Sequence, residues 1–141
     1  MEQVTAQVSK HVDAPPAEVW KALTDPAKLK RFFFGANVES GWKPGDPIRM
    51  RGEFKGKAFE DSGEVRSFEP ERKLAYTHVS SADPSKTEHL VTFELAPKGD
   101  GTEVTVTQAK TGGGSEDEKQ LAEYEKNWAM MLESLEKAVA N

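Results

Sequence analysis

The chain of 141 residues has no cysteine. That excludes disulfides, thiolate nucleophiles and thiolate metal ligands, and it fits a cytoplasmic protein. No window approaches the ~20 apolar residues of a membrane-spanning helix. The first residues also lack the basic-then-apolar pattern of a secretory leader. There is no basic excess: 24 acidic residues outnumber 19 basic ones, for a net charge of −5. With acids and bases interspersed, that balance argues against nucleic acid as a partner. Histidine is scarce, at positions 11, 78 and 89. None of the three sits in an H-x-H or H-E-x-x-H spacing, and no carboxylate lies at a ligand spacing, so neither a metal nor any other cofactor is expected. No G-x-S-x-G elbow is present, which leaves nucleophilic catalysis without support.

What is present fits a single domain over residues 1–141, with 36% hydrophobic and 30% charged residues. A chain of this length buries about two-thirds of its unfolded surface. Its last quarter, Ser115 to Ala140, reads as one amphipathic helix. Leu121, Tyr124, Trp128, Met131, Leu132, Leu135 and Val139 recur at three- and four-residue steps on one side. Charged residues from Glu116 to Lys137 cover the other side. Ser115 and Glu118 form a capping box, and the acids of the first turn suit the positive end of the helix dipole. At ~1.5 Å per residue the helix is roughly 39 Å long and needs a broad apolar partner.

The preceding residues can supply that partner. Val4 to Val12 alternate as in a half-buried strand. Asp13-Ala14-Pro15-Pro16 ends it and starts a short helix that buries Val19, Trp20 and Leu23. Asp25-Pro26 caps a second short helix, to Phe33, which contributes Leu29, Phe32 and Phe33. Glycines punctuate residues 35 to 63, with a turn at Trp42 to Pro47 and a strand marked by Ile48, Met50 and Phe54. Ala58 to Phe68 is a predicted strand interrupted at Asp61-Ser62-Gly63 by a bulge or turn. Lys73 to Val79, His89 to Leu95 and Thr102 to Gln108 complete about six strands after the two short helices, with a loop at Ala82 to Ser85 and a hairpin at Pro97 to Thr102. Short connections imply antiparallel pairing. One face of the sheet then meets the long helix and the other meets water.

Several segments carry a family resemblance. Residues Val12 to Pro26 closely resemble the opening of START-like proteins, the SRPBCC superfamily. Gly63-Glu64-Val65, Glu69 to Tyr76, Val91 to Leu95 and Gly101 to Val106 are most similar to the Aha-type family, homologues of the activator of the heat-shock-protein-90 ATPase. The resemblance implies an α+β helix-grip fold, a curved antiparallel sheet wrapped round a long C-terminal helix with a cavity between them. It departs from the family at Phe32 and His78, where tryptophan is common, and at Asn127-Trp128, where Gly-Trp is common. The resemblance implies one START-like domain over this sequence, and the further chaperone-binding domain of the eukaryotic activators is not expected.

Inward parity collects Met50, Tyr76, Phe93, Tyr124, Trp128 and Met131. These either fill a core or line a cavity. His78, His89, Gln108 and the Tyr76 hydroxyl are the polar groups of the same face, and each needs a partner if buried. His78 and His89 read either as pocket contacts or as satisfied structural histidines, and His11 faces outward. No acid–base pair is apparent. Gly112-Gly113-Gly114 resembles a phosphate cradle, but no Gly-Lys-Ser/Thr follows and the next turn is acidic. It reads better as a compliant joint through which the helix lifts to admit a ligand.

Three functions follow. The first is a binding protein for a small hydrophobic or aromatic molecule, as a monomer or weak dimer. The second, implied by relatives that resemble polyketide cyclases, is an enzyme using His78, Tyr76 or His89. The third is a chaperone-regulating role in a stress response.

Overall fold

The computed structural model describes residues 5–32, 36–54, 56–80, 87–111 and 118–140; of these, the side chains of 26, 31, 32, 54 and 118 are left aside. Phe33, the 82–85 loop, the triple glycine and the Ser115 cap therefore lie outside the described residues, as does the Phe32 side chain.

In chain order the elements are β1 (Ala6–Val12), α1 (Pro16–Thr24), α2 (Pro26–Phe32), β2 (Asn37–Ser40), β3 (Pro47–Phe54), β4 (Lys57–Glu69), β5 (Lys73–Val79), β6 (Glu88–Lys98), β7 (Gly101–Lys110) and α3 (Glu118–Ala140). The strands form one seven-stranded sheet in the order β1-β7-β6-β5-β4-β3-β2. Every neighbouring pair is antiparallel. Hairpins link β2 through β7 in sequence, while α1 and α2 carry the chain from one edge of the sheet to the other. The helices thereby land on the inner face.

Local chemistry explains the short helices. Pro16 opens α1, where its missing N–H costs no bond, and Val19, Trp20, Ala22 and Leu23 form the buried side. The Asp25 carboxylate accepts from the Ala27 N–H at 2.9 Å, which caps α2. On α2, Leu29 is buried. Neither helix is long enough to stand alone, so both depend on that packing.

The structure differs from the sequence reading at two places in the sheet. Six strands follow the short helices, in keeping with the expected number, but the position of β2 is new: it has only four residues, too few to display a period, and it forms by pairing with β3. The second difference is at Asp61-Ser62-Gly63, where β4 runs on unbroken. The register shift lies further along, between Val65 and Ser67. Gly63 is there for closeness, because a Cβ on it would fall within 1.7 Å of the Thr77 carbonyl oxygen on β5. A glycine inside a strand commonly marks such an approach.

The core joins α1, α2 and the inner side of the sheet to α3. Phe93, Leu23, Leu29, Ile48, Leu74, Leu132 and Leu135 are fully buried in it. Trp20 meets Phe68 edge-on, with ring centroids 5.1 Å apart. Thr102, buried with 0% exposure, donates its hydroxyl to the Ala14 carbonyl at 2.7 Å and fastens the β1–α1 connection to β7.

Candidate functional site on the concave face

Strand register places the predicted site residues. On β5 and β6, Leu74 lies opposite Phe93, Tyr76 opposite Val91, and His78 opposite His89. On β7, Val106 faces Phe93, Gln108 faces Val91, and Lys110 faces His89. On the other flank Val65 pairs with Tyr76, and Met50 pairs with Asp61. Because side chains alternate across a strand, these residues share the concave side.

Aromatic rings connect this face to α3. Tyr76 and Phe93 stack with centroids 6.3 Å apart. The Trp128 ring meets Phe93 edge-on at 5.5 Å, and Tyr124 meets His89 edge-on at 5.4 Å. Such geometries add about 0.5–1.5 kcal/mol beyond area burial. The Trp128 indole N–H donates to the Gln108 side-chain oxygen at 2.7 Å. Met131 packs against the core from the same side of α3. Tyr124, Trp128 and Met131 are each only half-buried.

Toward α1 and α2 the face closes over an apolar hollow, with Leu23, Leu29, Ile48, Met50, Tyr76 and Phe93 among its walls. The centre of a water-sized sphere can move there over only about 10 Å³, the room of a single water. Phe93 and Tyr76, stacked on each other, form part of its wall.

Asp61 was absent from the sequence-derived set. His78 Nε2 lies 2.9 Å from Asp61 Oδ2, with 25% and 16% of the two side chains exposed. An acid–base pair therefore does exist on the inner face, contrary to the sequence expectation. The Asp-Ser-Gly composition reads as a turn and hides it. Carrying the alternation through Phe59, Asp61, Gly63 and Val65 would have placed Asp61 inward. Burial pushes the Tyr76 phenol well above its ordinary value, and the negative charge of Asp61 pushes it the same way. Tyr76 thus stays a neutral hydroxyl. His11 stands apart from this group, exposed beside Asp13 at 3.2 Å.

A curved antiparallel sheet closed around a long C-terminal helix, with two short helices after the first strand, defines a helix-grip domain of the START-like kind. The family model described as "Activator of Hsp90 ATPase homolog 1-like protein" matches residues 13–140, and the chain belongs to that family. No curated protein matches it. Among solved structures, it is similar to ChR145 from Cytophaga hutchinsonii, at 39% identity and a TM-score of 0.78, covering 100% of this chain and 97% of that one. It is also similar to CalU16 from Micromonospora echinospora, at 28% identity and a TM-score of 0.75, covering 98% of this chain and 66% of that one. The Aha1 dimer from Colwellia psychrerythraea, at 20% identity and a TM-score of 0.74, shares the fold, with 96% of each chain covered. Among the described residues, no helix is long and apolar enough to cross a membrane.

Proposed function

We propose that this domain binds a small hydrophobic or aromatic molecule between α3 and the concave face of the sheet. The observation that carries the reading is the composition of that face. Half-buried Tyr124, Trp128 and Met131 stand over a wall of Met50, Tyr76 and Phe93, with His78, His89 and Gln108 set among them. Apolar walls with a few placed polar groups are the usual make-up of a ligand site. The water-sized hollow means that binding requires side chains on this face to move apart. Apparent affinity is then reduced by the fraction of molecules that are open. Trp128 supplies the test, since its indole lies on the face. Titration with naphthalene derivatives and fatty acids should change its fluorescence and raise the melting temperature. A panel that leaves both unchanged at millimolar ligand overturns the reading.

A second reading, a polyketide-cyclase-like enzyme, is favoured by one observation, the 2.9 Å His78–Asp61 contact. A histidine oriented by a carboxylate suits general acid–base work in a cavity that positions a reactive chain. Incubation with a poly-β-ketone thioester analogue should then give cyclised product faster than the uncatalysed reaction, and an unchanged rate removes this reading. The family's description also names an Hsp90 ATPase activator. Regulation of such a chaperone would appear as altered ATP turnover on adding this domain.

A further inference from the structure

The binding reading leaves one end of the His78–Asp61 pair unused. His78 reaches Asp61 Oδ2 through Nε2. An ionised carboxylate only accepts hydrogen bonds, so Nε2 carries the proton in this contact. In the neutral ring the lone pair is then on Nδ1, a hydrogen-bond acceptor. Among the described residues nothing bonds to that nitrogen. The side chain is nonetheless three-quarters buried on an aromatic-lined face. Tyr76 lies two residues earlier on the same side of β5, about 7 Å along the strand. Its phenol, kept protonated by burial and by Asp61, has no hydrogen bond to a described residue. Strand β5 therefore carries, on one aromatic-lined side, an imidazole with a free acceptor nitrogen and, two residues earlier, a neutral donor.

We propose that the molecule held here is an aromatic compound bearing a hydroxyl, whose O–H donates to His78 Nδ1 while Asp61 holds the imidazole in its Nε2–H form. This rests on the binding reading above and names the chemistry of its ligand. Asp61 is a positioning residue in this scheme, and His78 makes the contact.

The test uses 2-naphthol and 2-methylnaphthalene, two probes of similar size of which only the first has a donor. Affinity for each is measured on the full chain and on the His78→Leu and Asp61→Asn variants. The ratio of the two affinities cancels the general apolar contribution. Relative to wild type, that ratio should shift about tenfold against 2-naphthol in His78→Leu, the size of one lost hydrogen bond to a partly buried acceptor. It should shift in the same direction, by less, in Asp61→Asn. Nitrogen-15 NMR of the wild-type imidazole should show the Nε2–H tautomer, and this measurement does not depend on either variant folding. A predominant Nδ1–H tautomer overturns the proposal, as does an unchanged ratio while 2-methylnaphthalene still binds. In both of those cases the binding reading stands. Failure of both probes to bind the wild type overturns this proposal, and the binding reading falls with it when the fatty acids fail as well.

Discussion

The two halves of α3 face opposite surroundings. From Leu132 onward the helix is anchored: Leu132, Leu135 and Ala138 are fully buried against the core. Lys28 of α2 donates to the Ala138 carbonyl at 3.4 Å, placing a cation at the negative end of the helix dipole. Before Leu132, Leu121 is buried, but Tyr124, Trp128 and Met131 are only half-buried, and two of them rest on polar groups, His89 and Gln108. One half is a dry aliphatic joint, close-packed and intolerant of change. The other is a less buried aromatic and polar surface, the one that the binding proposal above would use. A single helix thus combines a close-packed aliphatic end with a less buried aromatic one.

The contrast can be broken most directly by truncation. Leu135→Ala should destabilise the domain by about 2–5 kcal/mol, through lost transfer energy and the cavity left behind. Tyr124→Ala should cost clearly less, since its ring is already partly in water. Urea unfolding measures both, and equal losses would erase the distinction between the halves.

The next effect is on the concave face itself and depends on pH. The Tyr76 pKa is raised in the folded state above tyrosine's ordinary 10. Below that value both states hold the proton, and the full stability is present. As pH rises past it, the unfolded chain loses the proton first, so the folded state binds more protons and stability falls. The slope from this one group reaches at most about 1.4 kcal/mol per pH unit. Tyr76→Phe should remove that component, making the alkaline decline of the urea midpoint shallower than in wild type. Identical slopes would mean that the phenol ionises as easily folded as unfolded.

In the less buried half, Trp128→Phe keeps an aromatic ring and deletes the indole N–H. That leaves the buried Gln108 oxygen without this donor, at a cost of about 1–2 kcal/mol. Adding Gln108→Leu to the same chain should recover part of the loss, and a double variant no better than the single one would sink this account. The smallest effect belongs to the Lys10–Glu136 contact, 3.7 Å long with 31% and 43% of the side chains exposed. Lys10→Ala should change stability by less than about 0.5 kcal/mol. A larger change would mean that the anchored half is held by charge as well as by aliphatic packing.

Much of this arrangement is legible from periodicity. The inward face of α3, the parity of Tyr76, His78, His89, Phe93 and Gln108, and the proline-started α1 all follow from spacing of three to four or of two. Composition misled at Asp61-Ser62-Gly63, where three turn-forming residues lie inside a strand because Gly63 must let the Thr77 carbonyl approach. The same misreading concealed the carboxylate that orients His78. Strand β2 was missed for a different reason, since four residues carry too little pattern without their partner. The closeness of Phe93 to Trp128 and the water-sized hollow walled by Tyr76 and Phe93 depend on rotamers and helix placement that no one-dimensional pattern encodes.

The chain's own order of residues determined which elements form, which side of each is apolar, and which polar groups point inward, because those properties come from backbone periods of fixed length. Only the tertiary structure decided which of the inward groups meet. The contact between Asp61 and His78 depends on the register of β4 against β5, and that of Gln108 with Trp128 on where α3 comes to rest. Register and docking are set by the joint packing of many side chains, so they belong to the assembled fold rather than to any segment of it.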